Sequence, residues 1–321
     1  MDKLYDLTIY SYPNDSSRDW SCIGLFASRD EAEQTARDYL ARVPGFCDYY
    51  CQPEITAVPV IGDENVREVW RFIGWNAGDD GDETDIIESD CYVSQQMAQT
   101  DLERSQKATP RQEWALNRWP IGEKHWQEGF SREYPDGHKA PTLEEIRMTL
   151  KTAMMPRQLV NIEFCYTDYD RYFFPLAMDD ALFLCAEEND FLLDGFTVRR
   201  IRDVKRIEVR EGIYSKIMHR EGWLDNLKTP AVDISCLQSF FRSLQKMGRN
   251  IIIEHESLND DSLFAIGEIQ AVDEEKVLLL PFDADGIWQT EALEIPYSDI
   301  TSVSFDTRYI NVFSRYLPPH N

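Results

Sequence analysis

The chain opens on "LYDLTIYSY", in which Leu4, Leu7 and Ile9 supply the apolar positions of a predicted strand. Ala32, Ala36, Tyr39 and Leu40 then fall on one face at helical spacing. Ser28 and Glu31 have capping-box spacing ahead of them, and Pro44-Gly45 closes the segment. "EITAVPVI" and "VREVWRFIGWN" predict two more strands, giving a β-α-β-β order. "QQMAQTDLERSQKA" predicts a helix. "RQEWALNRWPIGEKHWQEGF" carries Trp114, Trp119 and Trp126, and Pro110, Pro120, Pro135 and Pro141 punctuate it and its flanks. This stretch predicts an irregular segment wrapped on a core, with its tryptophans packed there. An α+β domain is therefore expected over residues 1–140.

Beyond the boundary, "PTLEEIRMTLKTAMMP" predicts a short helix with Thr142 and Glu145 as its capping box. The pattern then occurs twice. "LVNIEF" is answered by "NIIIEH", with Glu163 matching Glu254, and "ALFLCAEENDFLL" by "VLLLPFDADGIWQ", with Leu182 and Leu184 matching Leu278 and Leu280. "VRRIRDVKRIEVREGIYSKIM" (198–218) is answered by "IPYSDITSVSFDTRYINVF" (295–313), both read as closing strands. Here Asp203-Val204 matches Asp299-Ile300, Ile207 matches Val303, and Tyr214 matches Tyr309. Between the copies, Leu237, Phe240, Phe241, Leu244 and Met247 share one helical face, with Ser235 and Gln238 as capping box and Gly248 as stop. The expected fold class is α+β: an N-terminal α+β domain, then two tandem small β-barrel modules over 141–220 and 221–321, each preceded by a helix.

Charge adds the next constraint. Fifty-eight acidic against thirty-three basic residues leave a formal net charge of −25 and a pI near 4.5. The excess is even: residues 1–140 hold 27 acidic and 14 basic side chains, and residues 141–321 hold 31 and 19. Affinity for nucleic acid or anionic membrane rests on clustered Lys and Arg, so neither is an expected partner. Such a surface instead speeds encounter with a cationic protein. Seven cysteines with no close-set framework, a start interrupted by Asp2, Asp6 and Asp15, and apolar runs of strand length predict a cytoplasmic protein with reduced thiols.

The plan of helix, strand, bent strand with Gly267 at the bend, and short paired strands ending in "DITSVSF" resembles the Sm-like and SH3-like small barrels, over about residues 157–220 and 249–317. Such barrels often bind RNA. The loops here ("CAEEND", "NDDS", "VDEEK", "FDADG") are acidic, so that part of the resemblance is not expected to hold. The whole chain, acidic and duplicated with no catalytic motif, also resembles the immunity proteins that accompany bacterial polymorphic toxins.

Candidate chemistry is sparse. Cys47 and Cys51, with Cys22 and Cys91, are the one set that would offer four thiolates to zinc, but structural zinc uses two closely spaced pairs, so no metal is expected. His125 and Glu128 make an isolated H-x-x-E, and no G-x-S-x-G, P-loop or G-x-G-x-x-G is present, so no enzyme activity or cofactor is expected. "DDGDETDIIESD" (79–90) holds seven acids around Ile86 and Ile87 and does not fit a calcium loop. It predicts a solvated loop, or a strand or packed hairpin whose carboxylates dock a basic protein. The expected binding residues are Asp79, Asp80, Asp82, Glu83, Asp85 and Glu88, with Trp75 as aromatic anchor or as lid of a core. The expected function is neutralisation of a basic partner, such as a nuclease toxin, by occluding its groove. The alternative is a scaffold that binds peptides or itself through its small barrels.

Overall fold

The computed structural model describes every residue except 1, 15–16, 64–65, 78–82, 111, 135–136, 168, 258–261 and 320–321. The chain is α+β and divides into two compact bodies, one of Met1–Tyr12 and Arg18–Arg132, the other of Pro13–Ser17 and Glu133–Asn321. Among the described residues no helix is long and apolar enough to cross a membrane.

The first body runs β1 (Lys3–Asn14), β2 (Ser17–Phe26), α1 (Arg29–Arg42), β3 (Cys51–Ile61), β4 (Glu68–Ala77), β5 (Glu83–Glu88), β6 (Cys91–Tyr92), α2 (Gln95–Ala108) and β7 (Glu113–Pro120). Its sheet has the order β2-β1-β3-β6-β4-β5, with β7 on the other side of β4. A parallel bridge from Leu25 to Ile121 brings the chain after β7 back to β2, so the sheet curls. Ser28 caps α1 through the Glu31 N–H, and Ala32, Ala36 and Tyr39 pack on Leu7, Ile9, Ile23 and Phe26. On α2, Ala98 and Leu102 cover Phe72 and Tyr92.

The Trp-rich segment is in part a correction to the expected irregular wrap: Glu113–Pro120 is strand β7, paired with β4 over eight residues from Glu68↔Pro120 to Trp75↔Glu113, while residues 122–130 carry no helix or strand. Gly74 makes room for this, because a Cβ there would lie 2.5 Å from the Trp114 ring. Trp114 and Trp119 pack inward as expected, whereas Trp126 is exposed.

The second body runs α3 (Leu143–Met154), β8 (Val160–Phe164), β9 (Arg171–Met178), β10 (Leu182–Asn189), β11 (Leu192–Arg200), β12 (Val204–Val209) and α4 (Ile213–Arg220). A second series follows: α5 (Leu237–Met247), β13 (Ile251–His255), β14 (Leu263–Val272), β15 (Lys276–Pro281), β16 (Leu293–Pro296), β17 (Ser302–Phe305) and α6 (Arg308–Ser314). All ten strands form one sheet, β12-β8-β9-β10-β11-β17-β13-β14-β15-β16. Numbered within its own module, each half has the order 5-1-2-3-4, and the fourth strand of one module joins the fifth of the other through β11 and β17.

Register makes the repeat concrete. Ile162 pairs with Ile207 as Ile253 pairs with Val303, and Glu163 opposes Arg206 as Glu254 opposes Ser302. Each second strand carries an extra residue against the third, at Leu176 and at Gln270, equivalent positions of the two modules. In both copies a single 3-10 turn, Ile201–Asp203 and Tyr297–Asp299, precedes the fifth strand.

Two expectations move. Ala177 opposes Leu184 and Ala271 opposes Leu278, so Leu184 matches Leu278, two residues from the expected match. The offset arises later, where a tight turn at Asp190-Phe191 in one module is replaced by the excursion between β15 and β16 in the other. Tyr214 and Tyr309 sit on helices and not on closing strands: Thr307 caps α6 through the Ile310 N–H, and Ile310 packs on Ile252, Ile266 and Phe282.

Candidate binding cleft in the first sheet

The first sheet divides beside Arg71. Among the described residues, strand β6 pairs with β3 only at Val60↔Cys91 and Ile61↔Tyr92, while β5, the preceding stretch of the same row, pairs only with β4. Ser89 makes the break: its backbone N–H donates to the Phe72 carbonyl, its hydroxyl accepts from the Phe72 N–H at 2.9 Å and donates to the Asp90 carbonyl. A cleft of about 520 Å³ opens between β5 and the β1–β3 pair, lined by Asp6, Tyr10, Trp20, Glu54, Ile86, Glu88 and Asp90 around Arg71.

Arg71 forms the floor. Its Nη1 donates to Asp6 at 2.5 Å, Nη2 to Glu88 at 3.0 Å and Nε to the Ser89 carbonyl at 3.2 Å, so all three nitrogens are engaged. Burial works to lower its pKa, but Asp6 and then Glu88 outweigh that and the guanidinium is held charged. Cys22 donates to Asp6 at 3.5 Å; burial first, then the Asp6 charge, pushes its thiol well above the ordinary range. Glu54 and Asp90 add two carboxylates to Asp6 and Glu88 in a lining whose one cation is Arg71, so the lining is net negative. Trp20 stands 48% exposed beside them. Such a cleft can take a cationic side chain against the carboxylates with an apolar stem on Trp20.

The expected site residues scatter. Glu88 and Ile86 line the cleft. Asp79, Asp80 and Asp82 lie outside the described residues, and Glu83 and Asp85 are placed here only as backbone of β5. Trp75 is half-buried opposite Glu113 and does not line the cleft. Trp20, Tyr10, Glu54, Asp90, Asp6 and Arg71 were missed by sequence reasoning. One signal was available: a lone arginine inside "VWRFIGW" must find carboxylates when that strand is buried. The four candidate zinc thiols are not gathered: Cys22 bonds Asp6, Cys91 is buried in a core, and Cys47 is exposed. Among the described residues no group of three His, Cys, Asp or Glu is arranged to hold a metal. No family model matches the chain, nor does any curated protein or solved structure.

Proposed function

We propose that this is a binding protein that captures a basic partner protein at the cleft beside Arg71 and neutralises it by occlusion, as an immunity protein does with a toxin domain such as a nuclease. One observation carries the reading: an open cleft lined by four carboxylates, Asp6, Glu54, Glu88 and Asp90, against the single cation Arg71, with an exposed tryptophan beside them, on a chain of net charge −25. Its long-range field speeds encounter with a cationic surface, and the aromatic supplies the short-range hold. The protein works in a reducing cytoplasm, a setting that suits seven free cysteines.

The test changes Glu54→Gln, Glu88→Gln and Asp90→Asn together and measures stopped-flow association with a partner obtained by co-purification. Association slows several-fold at low salt, and the difference shrinks as screening shortens the field. Trp20→Ala acts instead on dissociation. An association rate untouched by the triple change overturns the reading. A second reading, a scaffold that takes a peptide or another copy on a sheet edge, has in its favour the outer strand β16, which among the described residues pairs only with β15. It predicts a concentration-dependent rise in mass on size exclusion.

A further inference from the structure

An opening of about 720 Å³ in the second body lies between the start of β9, the end of β10 and the start of α4. Tyr169, Asp170, Tyr172, Glu188, Asp190, Arg210, Ile213 and Tyr214 are among the residues that line it. One wall is firmly built. The turn joining β10 to β11 sets two successive non-glycine residues, Asp190 and Phe191, at positive φ (47° and 67°), a conformation that usually requires Asn or Gly. Buried Glu188 holds it: its Oε1 accepts from the Phe191 N–H at 2.6 Å and from the Tyr214 hydroxyl at 2.5 Å. The Phe191 ring stacks on Tyr214 with centroids 4.1 Å apart and meets Trp223 at 5.3 Å.

The distribution of polarity is the informative feature. Enclosed small-molecule sites put apolar side chains on the floor and a few polar groups among them. Here the lining carries charge, while large apolar side chains are left open to solvent: Ile213 and Tyr169 of the lining are 75% and 51% exposed, and Leu192 and Trp223, next to and against Phe191, are 59% and 40% exposed. That is the anatomy of a surface that meets another chain, with anchors ringed by charge that selects the partner. The charge is acidic. Arg171 is committed to Glu187 and Glu256, at 3.9 and 3.6 Å, leaving Asp170, Glu188 and Asp190 against Arg210.

We infer that this cleft is a second docking surface, which takes a polypeptide segment bearing apolar side chains flanked by Lys or Arg. The apolar side chains seat on Ile213, Leu192 and the Phe191–Trp223 shoulder, and the cationic ones face Asp170 and Asp190. The inference rests on the reading of the chain as an acid-steered binder. It uses residues of the other body, so the two fail separately.

The experiment titrates the full-length protein, by fluorescence anisotropy, into three short labelled peptides. One has a Leu-Trp pair flanked by lysines, one has glycines in place of the pair, and one has glutamates in place of the lysines. Only the first binds. Leu192→Glu with Ile213→Glu weakens it on the order of tenfold, the scale of losing a hot spot. Ile213 opens α4, where an acidic residue suits the helix dipole, so that change spares the fold. Asp170→Asn with Asp190→Asn weakens it roughly threefold at low salt, by loss of local attraction, and Asn tolerates the positive φ at 190. Trp20→Ala leaves it unchanged. Equal binding of the glycine peptide, or affinity lost in Trp20→Ala and kept in the Leu192/Ile213 variant, overturns the proposal; the latter result leaves the first cleft standing.

Discussion

Arg71 and Arg199 each place a guanidinium inside a core, and each is tolerated for the same reason. Nη1 of Arg199 donates to Glu256 at 2.6 Å and to the Tyr166 hydroxyl at 3.3 Å, and its Cζ lies 4.5 Å from the centre of the Phe164 ring. A desolvated cation survives only where carboxylates and aromatic faces replace water. Burial has the opposite consequence for thiols. It raises the pKa of Cys22, Cys51, Cys91 and Cys185, reaching about 12 for Cys51 and Cys91. Cys236 is exposed, and hydrogen bonds with the Ser239 side chain and backbone N–H hold its thiol below the ordinary value. Since the thiolate is the reactive form, brief alkylation of the native protein at neutral pH labels Cys236 first and leaves Cys22, Cys51, Cys91 and Cys185, the first two partly buried and the last two buried, for denaturant. Mass spectrometry gives the order. Cys51 modified ahead of Cys236 would contradict it.

Among the elements, the joint between β11 and β17 carries the sharpest stability prediction. Arg199 occupies the place that Ile295 holds in the other module: Phe183 opposes the one and Val277 the other. An apolar pair is thus compatible with this position. Glu256→Ala strands Arg199 and costs about 3–5 kcal/mol, whereas Arg199→Leu with Glu256→Leu costs far less, since replacing a buried pair with apolar residues is often near neutral. Urea unfolding separates the two, and equal losses would refute the argument. Burial tends to raise the Glu256 pKa, but Arg199, with Arg171 and Thr301, outweighs it and leaves the carboxyl below its usual range. Its contribution is therefore present above the unfolded value, about 4.3, and is lost as pH falls through the lower folded one. Glu256→Gln removes that acid-side slope. Other elements show what a sequence reveals locally. Thr142 and Glu145 cap α3 reciprocally as their spacing predicts. Ser235 does not cap α5, because its N–H is taken by Asp233 and the chain enters the helix one residue later, with Cys236 as cap. The helices α4 and α6 hid behind β-branched and aromatic residues, whose helical role comes from packing and not from propensity.

Over the whole molecule, the repeat was legible because register repeats apolar spacing: Ile162 with Ile207 and Ile253 with Val303 mark the same inner face. The joint was not, since pairing Phe196 with Phe305 across the chain leaves no periodic trace. The first cleft was half legible. Glu88 belongs to a conspicuous acidic run, but Trp20, Glu54 and Asp6 reach it from strands far apart in sequence. The joint yields the last prediction. Phe240, Phe241 and Leu244 of α5 pack on Leu182, Leu184 and Val198 of the first module as well as on their own strands, and β11 pairs with β17 over four residues. A cut between residues 228 and 229, once the pieces separate, therefore exposes apolar surface on both and one newly unpaired strand edge on each, β11 on one and β17 on the other. Fragments 133–228 and 229–321 expressed separately should lack a cooperative unfolding transition, and mixing them should restore the circular dichroism and elution of an uncut 133–321 control. Acidic residues exceed basic ones in both pieces, so screening favours their reassembly, and yield rises with moderate salt. That is the opposite of the trend expected for capture of a basic partner, which salt weakens. If either fragment alone melts cooperatively at the temperature of the uncut control, the two modules are independent, and the shared sheet contributes nothing to their stability.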